Sequence, residues 1–358
     1  MTTIAPERKA TAPAGNARVF ATRLSNTGAV GPAIVLTLMG IIYFIVRPSA
    51  LNVDGIHTIL NAATMLALAA AGASIVTIAG GFDFSVGAAL SVVNVVIATQ
   101  IGTSLSSQVM MIPLALAVGV FVGLINGLLV IWLKIASIVA TLATSFFWGG
   151  VALLFLSQPG GAVPSDFGSW FTGTIAGVIP NALPILVGVV ACWLVLKRTR
   201  LGRALYAAGG DIQAARLNGI NTSMTVIAAY MIAGLLYGMS GLFLTAVTSS
   251  GDPNIGGPLL LPVFTAIAIG GVRFGGGRGD IVGAIVGAFI LYMISDLLFA
   301  FGVSSFYTSI LNGAVLLVAV AITSVAGSRR RVATSWLPRI LGKWGKTAAQ
   351  SGSEAGHE

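Results

Sequence analysis

An all-α, polytopic membrane bundle of about ten transmembrane helices is the fold class this sequence predicts, and three observations predict it. Hydrophobic residues make up 56% of the 358 and charged residues only 8%, where a soluble domain carries about 25% charged residues. The mean hydropathy is +0.97, and no long stretch has a soluble protein's composition. The basic residues fall in short segments between apolar runs, which is a topology signal; that placement, rather than nucleic acid, accounts for the net charge of +9.

Residues 1–28 carry Arg8, Lys9, Arg18 and Arg23 among Ala, Thr, Pro and Asn, the composition of a disordered cytoplasmic tail. The apolar run after them is long enough to span and shows no clear cleavage site, so this start does not read as a signal peptide. Residues 29–326 form the membrane domain, with a cytoplasmic loop at 197–222, and 327–358 form a basic cytoplasmic tail. Ten spans lie near 29–46, 57–79, 86–102, 108–133, 135–158, 176–196, 223–247, 259–272, 281–301 and 304–326. The third and eighth are short for a bilayer and read as tilted, broken or partly re-entrant. An even count puts both termini on one side. With that side cytoplasmic, eighteen of the nineteen basic residues are inside and only Arg47 is outside, while Asp54, Asp166 and Asp252 are outside.

The 46 glycines suit close-packed membrane helices. The single cysteine, Cys192, excludes an intrachain disulfide and lies in an apolar run. The outer loop 159–175 carries Trp170 and Phe171, as interfacial anchors or as part of a docking surface for an external partner.

The chemistry concentrates at Gly80-Gly81-Phe82-Asp83-Phe84-Ser85-Val86-Gly87, where Asp83 is the one formally charged residue between His57 and Gln100. A carboxylate at a helix centre costs roughly 2.5–3.5 kcal/mol, and irregular backbone at membrane depth needs protein or a polar cavity around it. Two readings stand: a polar hairpin at the membrane surface, or a broken helix at the wall of a solute pathway lined by Phe82, Asp83, Phe84 and Ser85. An acid flanked by aromatics suits a sugar, whose hydroxyls seek carboxylates and whose C–H face packs on rings. Residues 270–277 echo the glycine and phenylalanine spacing of 80–87 with Arg273 in the place of Asp83, which would allow an Asp83–Arg273 gating pair. Asn126 needs a partner in lipid, either another helix or the solute. In the cytoplasmic loop, Asp211 is a good N-cap and Asn218-Gly219 a good stop, enclosing about two helical turns whose contact residues are Ile212, Ala215 and Leu217. So short a helix needs something to pack on.

Four segments together resemble the ribose-type permeases of bacterial binding-protein-dependent ABC importers. They are Gly80–Gly87, Gly123–Gly127 with Lys134–Leu142, Thr199–Ile220, and Ile269–Gly279 with Gly283 and Gly287 beyond; the likeness covers roughly residues 55–325. Two departures are Ala136-Ser137 where the family has a proline pair or Pro-Phe, and Pro258–Phe264 where it often has Glu-Leu. The resemblance implies a multi-pass protein of the bacterial inner membrane that imports a sugar or sugar-like solute by alternating access. It implies a second permease subunit, identical or paralogous, two cytoplasmic ATPase subunits and an external solute-binding protein. It also implies that Asp211, Gln213, Ala214, Ala215, Arg216 and Gly219 form the helix that couples to the ATPase. No cofactor is expected in this chain, since ATP would be used by the partner and no nucleotide-binding motif is present.

Two other classes compete. A self-sufficient secondary transporter would use charge relays, yet Asp83 and Asp296 are the intramembrane acids and neither has a basic partner in its own span. An intramembrane enzyme finds no H-E-x-x-H, and neither His57 nor His357 has metal-ligand company. The glycines and arginines of 270–279 resemble an anion nest, but Gly283-x-x-x-Gly287 favours close helix packing.

Overall fold

The computed structural model describes residues 30–304, 307, 309–318 and 321. Both predicted tails and the end of the tenth predicted span lie outside the described residues. The chain is built from α1 (Val30–Val46), a 3-10 turn (Pro48–Leu51), α2 (Val53–Ile78), α3 (Val86–Gln100), α4 (Leu105–Trp132), α5 (Ser137–Phe155) and α6 (Ser165–Thr172). A two-residue hairpin of β1 (Thr174–Ile175) and β2 (Ile179–Pro180) leads to α7 (Ala182–Arg198), α8 (Arg200–Gly210), α9 (Ile212–Leu217), α10 (Thr222–Thr248), α11 (Leu260–Ile269) and α12 (Ile281–Ala300). A further helix, α13, covers Ser309–Val318.

Among the described residues, α2, α4, α5, α10 and α12 are long and apolar enough to cross a membrane, and α7 with α8 adds a sixth if that pair, bent by 77°, counts as one span. A helix lies at each of the ten predicted positions, but ten full crossings are not established. The 15 residues of α3 rise about 22 Å against a hydrocarbon core of about 30 Å. The 10 residues of α11 fall further short. Neither is long enough to cross the hydrocarbon on its own.

Helix α10 forms the centre and packs on α4, α2 and α3. Lipid tails are as apolar as leucine, so membrane helices gain from close packing rather than from escaping water. At the α4–α10 crossing a methyl on Gly119 would come within 2.2 Å of Gly234 O, so the two backbones meet where no side chain fits. Gly283 and Gly287 do the same for α12 against the end of α11, which settles their role as packing.

Two ion pairs fix α12 at its ends. Arg47, just after α1, meets Asp296 at 2.6 Å, with Tyr43 also donating to that carboxylate. Lys197, at the end of α7, meets Asp280, which also caps α12 and accepts from Trp193. Asp296 thus has its basic partner just past the end of another helix. Charge-based topology demands this arrangement, with Arg47 and Asp296 sharing one end and Lys197 and Asp280 the other.

The structure corrects the sequence in one outer place. The sixth span begins at Ala182 rather than 176, because Ala176 and Gly177, both at positive φ, turn the chain into the β1–β2 hairpin first. Of the aromatics of the outer loop, Phe167 is fully buried and Phe171 packs edge-on against Phe243 of α10 at 5.7 Å, holding α6 to the bundle, while Trp170 stays half-exposed.

Candidate transport site

Helix α2 ends in a Schellman turn. Gly80 takes φ +89°, its N–H bonds Thr77 O, and Gly81 N–H bonds Val76 O. The chain then runs irregularly to Val86, and several of its peptide groups find side chains. Phe82 N–H donates to Ser137 Oγ at 3.1 Å, Phe84 N–H to Thr141 Oγ1 at 3.0 Å, and Phe82 O accepts from the Tyr230 hydroxyl at 2.8 Å. Two distant helices, α5 and α10, supply these partners. The break is a built structure, held from two separate helices.

Asp83, Ser85 and Asn126 come together in a closed network rather than on an open wall. Asp83 Oδ1 accepts from Ser85 N at 3.0 Å and from Ser85 Oγ at 2.6 Å. Ser85 Oγ accepts from Asn126 Nδ2 at 2.7 Å, and Asn126 Oδ1 accepts from Thr144 Oγ1 at 2.6 Å. Every donor in this chain points toward the carboxylate, the polarity that offsets a buried negative charge. Asp83, Ser85 and Asn126 each have 0% exposure. Asp83 Oδ2 and the Tyr237 hydroxyl face each other, and among the described residues neither has another hydrogen-bond partner.

Phe82 and Phe84 are placed differently. Their rings are half-buried and join Phe264 and Phe274 in one cluster, with Phe82 stacked on Phe274 at 5.8 Å and Phe84 5.1 Å from Phe264. The five candidate pathway residues thus divide into an inner polar clasp and an outer aromatic edge. Of the two readings of Asn126, the structure realises the helix–helix bond.

Arg273 forms no ion pair with Asp83 among the described residues. The echo between 80–87 and 270–277 is real in geometry but shifted by one residue. Helix α11 also ends in a Schellman turn, with Gly271 at φ +73°, its N–H on Ala268 O, and Val272 N–H on Ile267 O. Gly271 therefore matches Gly80, and Arg273 matches Phe82 rather than Asp83.

Both breaks meet the cytoplasmic loop at a joint of glycines. Gly277 N–H donates to Ile78 O, an otherwise unpaired carbonyl at the end of α2, at 2.9 Å. Gly209, near the end of α8, lies over that bond, and a methyl there would sit 1.9 Å from Ile78 O and 2.7 Å from Gly277 N. A methyl on Gly276 would sit 2.5 Å from Gly209 O and 2.8 Å from Gly80 Cα. The Tyr206 hydroxyl on α8 adds a bond to Gly279 O at 2.8 Å. Three segments remote in sequence touch backbone to backbone.

Helix α9 follows this joint directly. Asp211 caps it, accepting from Gln213 N at 2.9 Å and Ala214 N at 3.0 Å, and Gly219 at φ +77° ends it, as the sequence predicts. Arg216 Nε donates to Thr222 Oγ1 at 2.8 Å, tying the helix to the start of α10. One expectation is corrected: Ala215 is 4% exposed and faces its own chain, so it is no contact residue for a partner. Leu217, at 90%, and Ile212, at 41%, are the apolar side chains that α9 presents. Asp211, Gln213, Ala214, Arg216 and Gly219 are exposed around them.

Sequence reasoning missed Ser137, Thr141, Thr144, Tyr230 and Tyr237. The Ser137-x3-Thr141-x2-Thr144 spacing puts three hydroxyls on one face of α5, the available signal. The tyrosines of α10 carry no local signal.

Residues 55–320 match the family model described as the permease component of the branched-chain amino acid transport system. The chain belongs to this family. It is 32% identical over 294 residues to the ribose import permease protein RbsC of Escherichia coli (strain K12), covering 81% of this chain and 91% of that one. It is 33% identical over 296 residues to the RbsC protein of Bacillus subtilis (strain 168), covering 82% and 92%. To the galactose/methyl galactoside import permease protein MglC of Escherichia coli (strain K12) it is 27% identical over 335 residues, covering 88% and 99%. No solved structure matches the chain. The protein is thus a multi-pass membrane permease of the ABC importer type, and its relatives are transport components rather than enzymes.

Proposed function

We propose that the permease moves a sugar or sugar-like solute, receiving it from an external binding protein and drawing on ATP hydrolysed by two cytoplasmic subunits, with a second permease subunit completing the path. The observation that carries this reading is the capped, outward-facing helix α9 with Leu217 exposed at its tip, seated next to the glycine joint. Leu217 and Ile212 together give this short helix an apolar surface for a cytoplasmic partner to cover. The names of the relatives favour a pentose or hexose over a branched-chain amino acid.

In this reading, nucleotide binding draws the ATPases together and displaces α9. The displacement passes through Gly209 to the ends of α2 and α11, because a joint of backbone contacts has no side chains to yield. The Asp83 clasp keeps the first break rigid while the Phe82, Phe84 and Phe274 edge opens or closes toward the solute. Weak aromatic contacts suit a path that must also release its cargo.

The test is uptake in proteoliposomes holding the permease with its ATPase and binding-protein partners. Labelled ribose, galactose and leucine are compared, with and without ATP. ATP-dependent entry of a sugar and none of leucine is expected. Leucine entry, or sugar entry that needs no ATP and collapses with a proton uncoupler, would overturn the reading.

A further inference from the structure

A pocket of about 790 Å³ opens between α8 and the cytoplasmic end of α10. Its interior is apolar, formed by Leu201, Ala207, Met224, Ile227, Ala228 and Met231, and Arg200 and Arg203 stand at its rim. Both arginines are exposed, and neither has a carboxylate within ion-pair distance among the described residues. Arg203 is aimed by one bond, from Nη1 to Arg198 O at 2.9 Å, which leaves its other N–H groups free. The pocket's axis fits a bilayer. Helix α8 turns 77° away from α7, so with α7 crossing the bilayer α8 runs near the membrane plane, while the wall from Met224 to Met231 climbs about 10 Å along α10 toward the hydrocarbon.

We propose that this pocket binds an anionic phospholipid of the inner leaflet, its phosphate held by Arg200 and Arg203 and one acyl chain lying along the Met224–Met231 wall. Guanidinium groups bind phosphate through paired donors, and basic pockets at the cytoplasmic ends of membrane helices hold anionic headgroups. Uncompensated positive charge above an apolar slot matches a ligand that is anionic at one end and apolar at the other. A zwitterionic headgroup carries its own counter-charge and fits the bare arginines less well.

The experiment places the assembled transporter in nanodiscs of mixed phosphatidylglycerol and phosphatidylcholine and measures, by native mass spectrometry, the lipid retained after detergent exchange. The unmodified protein should retain phosphatidylglycerol over phosphatidylcholine. The Arg200→Gln/Arg203→Gln double variant should retain roughly tenfold less, and Arg200→Lys/Arg203→Lys should recover part of it. Met231→Trp, which fills the slot and keeps both charges, should also lose it. Glycerol phosphate, which lacks tails, should not compete. Equal retention of both lipids, or retention unchanged in the double-glutamine and tryptophan variants, would reduce the pocket to ordinary lipid contact. Competition by glycerol phosphate would make it a site for a soluble phosphate instead.

Discussion

The breaks after α2 and after α11 end their helices in the same Schellman geometry and then diverge. The first crosses from Gly81 to Val86 with its peptide groups held by Ser137, Thr141 and Tyr230 and its one acid held by Ser85. The second runs longer, from Gly271 to Asp280, and relies mainly on backbone, with the Tyr206 hydroxyl on Gly279 O added. Arg273 N–H bonds Arg278 O at 3.1 Å, Gly276 N–H bonds Arg273 O at 3.0 Å, and Gly276, Gly277 and Gly279 all take positive φ. Side-chain bonds from separate helices lock a break in place. Bare backbone lets a neighbouring chain come close enough to touch. The first break is therefore built to keep its shape, and the second to receive Gly209.

The largest expected effect is at the shared joint. Gly209→Ala places a methyl 1.9 Å from Ile78 O, and backbone on both sides cannot yield. A destabilisation of about 3 kcal/mol is expected, the upper end of an overpacking cost, seen as a lower thermal midpoint and lost coupling. Gly210→Ala meets nothing within 4 Å and should be close to neutral. Equal behaviour of the two would remove the joint from the account.

Next comes the clasp. Asp83→Leu leaves the Ser85 hydroxyl and the donor chain behind it without an acceptor, at a cost of about 1–3 kcal/mol per orphaned group. Asp83→Asn keeps an oxygen for Ser85 and turns its amide toward the Tyr237 hydroxyl, so uptake should survive. Uptake abolished in Asp83→Asn with the assembly intact would mean that the charge itself is read by solute or by a gate. Thr144→Val, at the far end of the same chain, should cost about 1 kcal/mol, the smallest of these effects.

Most of the architecture was legible because apolar runs of span length have few alternatives, and because Asp211 and Asn218-Gly219 are local signals that act locally. The Asp83 motif was found as a break for the same reason: glycines and an acid in an apolar run have no ordinary helical use. What the sequence hid was pairing. Nothing in Ser137 or Tyr230 says that it will serve Phe82, since those contacts are set by how α5 and α10 cross the break. Helix α8 was missed because its glycines and arginines read as loop; it is held by Tyr206 on Gly279 and by the joint. Ala215 was assigned outward because a small residue on a short helix looks the same from either side.

Sidedness can be checked in a Cys192→Ser background. A cysteine replacing Asp166 should react with an impermeant thiol reagent from outside, and one replacing Asn218 only after permeabilisation. Both residues are exposed. The reverse pattern would move α9 away from any cytoplasmic ATPase.

The central claim, that α9 is the surface through which ATP hydrolysis reaches the two breaks, is tested most directly at Leu217. Its side chain is 90% exposed and touches little of its own chain, so Leu217→Arg should leave folding and membrane insertion unchanged. In the purified complex this variant should lose binding-protein-stimulated ATP hydrolysis and uptake together, by at least tenfold, while the ATPase subunits alone keep their basal rate. A Leu217→Arg complex that assembles and couples normally would contradict the claim.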